Sequence, residues 1–280
     1  MEREMTKLAL IGAAGHMGTR AWDALGKDAE FDVRCVESPK GEAVLKARGI
    51  EVSPSDEAVP EADVVLMAVP DLLVGRVAKG LVPLMKPGTM LMCLDPAAPY
   101  AGELPDRKDV TYFVTHPAHP PVFNDEQDDA ARRDFFGSGL AKQSIVNALV
   151  QGPEEDYSRG EAIAARMFRP ILRSHRVTLE QMAMLEPAMS ETVAATCITV
   201  MREAMDEAIR RGVPAVAARD YTMGHIFIEL AILFEETDWQ LSDGAKMAVE
   251  EAKKTLFQPD WKKVFEPEHL RQSVLKIVGA

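Results

Sequence analysis

Two histidines stand three residues apart in HPAHPPVFND (116–125). Its prolines fix φ and cannot continue a helix, so this segment is a stiff loop rather than a regular element. His116 and His119 are thus imidazoles on rigid, irregular backbone, fit for proton transfer, ligation or a hydrogen bond to substrate. A second histidine and an acid, His225 and Glu229 in GHIFIELAILFEE, lie one helical turn apart on one face. The flanking Ile226, Phe227, Ile228 and Leu230 imply a mostly buried helix. There the pair supplies a base, binds a substrate carboxyl across a dimer interface, or makes a purely structural hydrogen bond. Two further carboxylates, Glu186 and Glu191, come from LEPAMSE (185–191). Their spacing turns a helix by about 500°, so they share a face poorly, and Pro187 disturbs the turn beside Glu186.

Glycines mark a third site. LALIGAAGHMG (8–18) places Gly12, Gly15 and Gly18 where an apolar strand passes into a helix. The first glycine makes the tight turn, the second admits a pyrophosphate, and the third allows close helix–strand packing at a helix N-terminus suited to phosphates. Ala13, Ala14, His16 and Met17 complete the loop, His16 as a pyrophosphate or dimer contact and Met17 packing on the cofactor. Glu37 ends the next strand, 19 residues beyond Gly18, where a carboxylate accepts from ribose hydroxyls and repels a 2′-phosphate. This favours NAD over NADP, with Ser38 and Lys40 softening the preference. AVPD (68–71) and LDPAAPYAG (94–102) also end strands, so Val69, Pro70 and Asp71 are expected on the nicotinamide side, with the histidine loop on the same rim.

The elements that carry these groups alternate. Strands are expected at KLALIG, at 31–37, within 61–71, and at 89–95, 109–117 and 143–152, with helices between them. The near-continuous apolar run in EADVVLMAVPD suits a parallel strand covered on both faces. This is an α/β fold: an N-terminal Rossmann doubly wound parallel sheet over 1–153, followed by an all-helical domain over 154–280. The helical part is expected to hold one very long helix (178–212) and others at about 215–236, 242–256 and 267–278.

Composition narrows the classes. A net charge of −12 argues against nucleic-acid binding, which needs a basic face. No apolar run reaches the roughly 18 residues of a membrane span, and MEREMTKLALIG has no cleavage site of a signal peptide. Cys35, Cys93 and Cys197 are odd in number and far apart, which fits a reducing cytoplasm and no zinc-like pairing.

GAAGHMG, ADVVLMAVPD and the long helix resemble the 6-phosphogluconate dehydrogenase-like superfamily of two-domain reductases. CLDPAAPYAGELP, YFVTHPAHPPVFND, QGPEEDYSRGEAIA and LEPAMSETVAATC resemble, more narrowly and nearly end to end, the D-apionate oxidoisomerase family. That resemblance implies NAD-dependent oxidation of a branched sugar acid, D-apionate, coupled to isomerisation into 3-oxo-isoapionate. Oxidation with a carbon shift favours a divalent metal, zinc or similar, and His116 with Glu186 is the expected ligand pair. His119, His225 and Glu229 are the remaining catalytic candidates. Lys142, in GSGLAKQSIVN, precedes a strand rather than lying on the long helix, where that superfamily carries its lysine. The long helix has acids there instead. A homodimer through the helical domain is expected, since its apolar faces exceed what a monomer exposes. Two alternatives stay open: a plain NAD(P)-dependent dehydrogenase or imine reductase without isomerisation, and a non-catalytic NAD-sensing protein.

Overall fold

Apolar alternation along the first strand builds both faces of the sheet at once. In β1 (Thr6–Ile11), Leu8 and Leu10 enter one buried cluster while Ala9 and Ile11 enter the other. The computed structural model describes residues 5–279. The charged N-terminal residues 1–4, part of the segment weighed above against a leader, lie outside the described residues.

The chain runs from β1 through α1 (His16–Leu25), β2 (Phe31–Val36), α2 (Pro39–Ala47), α3 (Ser55–Glu61), β3 (Val64–Met67) and α4 (Asp71–Leu81) to β4 (Met90–Cys93). It continues with α5 (Ala97–Ala101), β5 (Thr111–Pro117), α6 (Asp129–Arg132), β6 (Gln143–Gln151), α7 (Glu155–Met167) and β7 (Ile171–Arg176). The strands form one sheet in the order β2-β1-β3-β4-β5-β6-β7. From β2 to β5 in that order adjacent strands are parallel; β6 is antiparallel to β5, and β7 is parallel to β6. VVLM in β3 and MLMC in β4 are buried at every position, as strands covered on both faces must be. The order of the strands reverses between β1 and β3, and the crevice beyond the carboxyl ends of those strands is where such sheets bind ligands.

The Rossmann-like sheet and the helical region that follows agree with expectation; three local features differ. β6 runs antiparallel to β5 where a parallel sheet was expected, and β7 extends the sheet further. ILRSHR gave no strand signal because five of its six residues are exposed on an edge, without an alternating apolar face. The chain separates into one compact unit running to Glu186 and resumed from Arg271, and another, Pro187–Leu270. The boundary expected after residue 153 lies inside the first unit, because α7 packs on the sheet: Gly160 leaves no room for a Cβ against the Phe113 ring, and Tyr157 meets that ring at 5.9 Å.

The long helix is likewise not uniform. α8 (Leu179–Ala183) opens with a capping box of Thr178 and Gln181, Met184–Ala195 winds as a π-helix, and α9 (Thr196–Arg210) resumes the tighter turn. Pro187 has no N–H for an α-helical bond, and Thr192 Oγ1 donates to its carbonyl at 2.7 Å. α10 (Ala215–Leu233), α11 (Asp243–Leu256) and α12 (Pro267–Val278) follow. The mostly buried helix expected around His225 is instead exposed, with Phe227 56% accessible and only Ala218 buried in α10. Apolar composition alone does not place a helix face in the chain's own core. No helix among the described residues is long and apolar enough to cross a membrane.

Candidate functional site

The turn after β1 needs two of its glycines for internal reasons. Gly12 has φ +83°, and a Cβ there would meet the Ala68 carbonyl oxygen at 2.6 Å; one on Gly18 would meet the Gly12 oxygen at 2.1 Å. A Cβ on Gly15 would meet nothing closer than 3.6 Å within the chain, so the room it leaves is open to a ligand. His16 and Met17 are the first residues of α1. Glu37, just past β2, turns toward this loop: its Oε2 accepts from the Ala14 N–H at 2.9 Å and its Oε1 from the Ser38 N–H at 2.8 Å. Gly41 packs against the Glu37 side chain, where any Cβ would collide.

The next three strands deliver a cluster of ionisable groups. Val69 and Pro70 lead from β3 into α4, whose first residue is Asp71; burial holds the Asp71 carboxyl above its ordinary range, against the pull of His116. Cys93 in β4 pairs with Val114 in β5, so Asp95 and His116, each two residues further on, emerge side by side. Glu186 reaches them from the π-helix. One ligand-capable atom from each of Asp95, His116 and Glu186 lies within 4.8 Å of the others. His116 Nδ1 is 2.9 Å from the Pro117 carbonyl, which only accepts, so this nitrogen carries the proton and Nε2 the lone pair. That Nε2 faces Glu186 Oε1 across 3.8 Å, beyond hydrogen-bond reach.

Electrostatics suit the same arrangement. Burial pushes the His116 pKa down to about 4, with His119 and Arg20 lowering it and the Pro117 carbonyl and Asp71 opposing, so the ring is neutral at neutral pH. Glu186 is raised, chiefly by burial, with His119 lowering it and Asp71 adding to the rise. A neutral imidazole lone pair turned toward a carboxylate, with a second carboxylate alongside, is a donor set that fits a divalent cation.

The sequence pairing of His116 with Glu186 is therefore met in space, and Asp95 was missed as their companion. Its signal was an acid at a strand end, in a segment already placed on the cofactor rim. His119 stands next to this cluster, its ring edge-on to His116 at 6.3 Å between centroids. Its φ of +59° is rare for a residue with a side chain and is a feature of functional loops. His225 and Glu229 belong to the Pro187–Leu270 unit. There His225 stacks on Tyr221 at 3.9 Å, with Nδ1 at 2.9 Å from the Tyr221 carbonyl. Lys142 is exposed just before β6.

Comparison with known proteins matches the chain in two parts. Residues 4–121 match the model for the NADPH-binding domain of acetohydroxy acid isomeroreductase, and residues 124–278 the C-terminal domain of decarboxylating phosphogluconate dehydrogenase. The chain is 52% identical to the D-apionate oxidoisomerase of Rhizobium rhizogenes, over 98% of this chain and all of that one. The chain belongs to the D-apionate oxidoisomerase family. A more distant D-apionate oxidoisomerase, from Blautia hydrogenotrophica, is 39% identical across 95% of this chain and 94% of its own. Among solved structures, a semialdehyde dehydrogenase NAD-binding protein from Cupriavidus necator, in complex with calcium and NAD, superposes with a TM-score of 0.93 at 50% identity, covering 99% of this chain and all of that one. An NADH-preferring ketol-acid reductoisomerase from an uncultured archaeon shares the fold, with a TM-score of 0.67 at 17% identity over 97% of this chain and 82% of its own.

Proposed function

We propose that this member of the D-apionate oxidoisomerase family oxidises D-apionate with NAD and rearranges its carbon skeleton to 3-oxo-isoapionate. The observation that carries the proposal is the convergence of Asp95, His116 and Glu186 within 4.8 Å, on the rim shared with the glycine turn. Its 52% full-length identity to a D-apionate oxidoisomerase supports the substrate.

Residues assume distinct parts in this scheme. Gly12 and Gly18 keep the turn tight, Gly15 leaves space for the pyrophosphate, and Glu37 accepts from the adenosine ribose, favouring NAD. Ala13, Ala14, His16 and Met17 line the dinucleotide, and Val69, Pro70 and Asp71 flank its nicotinamide end. Asp95, His116 and Glu186 would hold a divalent cation of hard or borderline character, from calcium to zinc. When bound, that cation lowers the pKa of a hydroxyl and polarises a carbonyl, while NAD accepts the hydride at C4 of its nicotinamide. His119 takes the proton of the hydroxyl being oxidised. Neutral His116 keeps its lone pair available, and burial keeps water from competing.

The working form proposed is a homodimer through the helical unit. There Val216, Tyr221, Leu233, Phe234 and Trp239 are each 63–73% accessible in a single chain, an apolar surface that a second copy would cover.

The test is NADH formation from a panel of sugar acids including D-apionate, with and without chelator, followed by NMR of the product. Rearranged product, lost on chelation and restored by a divalent cation, is expected; His116→Ala or Glu186→Ala should lower kcat/KM by about a hundredfold. An unrearranged ketone, formed regardless of chelator, would reduce the protein to a plain dehydrogenase and sink the cation site. NAD binding with no turnover of any acid would leave only a sensor.

A further inference from the structure

Arg20, on the first turns of α1, is 8% accessible, an unusual depth for a guanidinium. It lies between two aromatic rings, 5.2 Å from the centroid of Phe136 and 4.8 Å from that of Phe168. Nη1 donates to the Phe136 carbonyl at 3.2 Å, and among the described residues Nη2 has no hydrogen-bond partner. A cavity of about 780 Å³ runs along the same helix, lined by His16, Arg20, Phe136 and Arg169 among others. Nη2 has almost no accessible surface, so it cannot serve an anion in that cavity without moving. The guanidinium therefore acts on the protein itself, at the carbonyl of Phe136.

That carbonyl has a second donor. His119 Nδ1 lies 3.0 Å from the same oxygen, and the Phe136 ring flanks the imidazole at 5.4 Å between centroids. Everything around Phe136 fixes this position. Asp134 accepts from the N–H groups of Ser138, Leu140 and Ala141, at 2.6, 3.0 and 3.2 Å. Gln143, fully buried, donates to the carbonyls of Gly137 and Phe168 at 3.2 and 2.8 Å. Gly137 has φ +76° and no room for a Cβ against the Gln143 amide. The loop is thus held from three sides, and what it offers His119 is one carbonyl oxygen.

A carbonyl accepts and never donates, so a neutral His119 bonded to it carries its proton on Nδ1 and its lone pair on Nε2. We infer that Arg20 is a positioning residue for the oxidation: by holding the Phe136 carbonyl it fixes the tautomer of His119, leaving Nε2 as the proton acceptor. The kinetic part of this inference rests on the proposed reaction; the tautomer does not. A buried cation with an unfilled donor is costly, and a role in fixing a neighbouring group accounts for keeping it there.

The tautomer is read by long-range ¹H–¹⁵N correlation on protein with ¹⁵N-labelled histidine, with His119 assigned through His119→Gln. Wild-type protein should show His119 protonated at Nδ1, and Arg20→Met should show a mixture with the Nε2-protonated form. In the reaction, Arg20→Met should lower kcat about tenfold, with KM for D-apionate and the Kd for NAD within about twofold of wild type. Arg20→Lys, which keeps the charge and a donor, should recover most of the loss.

An Nε2-protonated His119 in the wild type overturns the inference with no variant needed, which covers the case of an Arg20→Met protein that fails to fold. So does a folded Arg20→Met with unchanged tautomer and unchanged kcat, or one whose only defect is weaker NAD binding. A wild-type protein inert toward D-apionate would sink the functional proposal while the tautomer still decided this one.

Discussion

The sheet-bearing unit and the helical unit place their apolar residues in opposite ways. In the first, Leu8, Leu66 and Phe113 in one cluster and Val65, Met67 and Leu91 in the cluster on the other face of the sheet are at most 1% accessible. In Pro187–Leu270 only Pro187, Ala188, Ala218 and Leu270 are buried, while Leu233, Phe234, Trp239, Met247 and Leu256 stand 63–70% accessible. The sheet unit completes its core from its own chain. The helical unit has an apolar surface left over, and the two are expected to respond to substitution by different rules.

The largest effect should come from the sheet. Leu66→Ala removes side-chain atoms from a position with no exposed surface, at a cost of about 3 kcal/mol and independent of protein concentration. Denaturant unfolding measures it; a loss below about 1 kcal/mol would mean the core is looser than its burial implies. A paired change in the helical unit, Leu233→Glu with Phe234→Glu, should weaken self-association by about a hundredfold, roughly 2.7 kcal/mol. Sedimentation velocity over a dilution series tests this. A protein that stays monomeric before the change would erase the distinction drawn here, since its exposed apolar face would then have no partner of its own kind.

The smallest effect is a difference in thiol reactivity. Burial pushes Cys35 and Cys93 up to about 12, opposed at Cys35 by Arg48, so at neutral pH both are thiols shut away from reagent. Cys197, on α9, is partly accessible. Brief alkylation followed by peptide mass mapping should label Cys197 first and the other two only in denaturant. Protection of Cys197 at high protein concentration, lost on dilution, would place it beneath the partner chain and sharpen the contrast.

What could be read in the sequence follows the same line. The turn from β1 into α1, the runs that became β3 and β4, and the pairing of His116 with Glu186 were legible because each depends on local pattern or on an unusual residue type. β7 was not: its side chains face outward, and its membership in the sheet is set by pairing with β6. Asp95 sat in a segment assigned to the cofactor rim, yet its closeness to His116 exists only once β4 and β5 are in register. The helix around His225 was misjudged as buried because a hydrophobic stripe reads the same whether or not the chain's own core covers it. The π-winding at 184–195 had one sequence cue, Pro187, which marks a disturbance without specifying its form.

The register of Cys93 with Val114 also bears on which ions the proposed Asp95–His116–Glu186 site could hold. Neighbouring strands lie about 4.8 Å apart whatever their sequence, and Asp95 and His116 leave that ladder at the same height. In the proposed site the sheet would therefore act as a ruler with one fixed graduation for two of the three donors. Selectivity cannot be retuned by remodelling a loop between them. A relative adapted to a smaller or larger cation would have to change the length of a side chain, aspartate for glutamate or the reverse, or shift Glu186, the one donor that does not stand on the ruler.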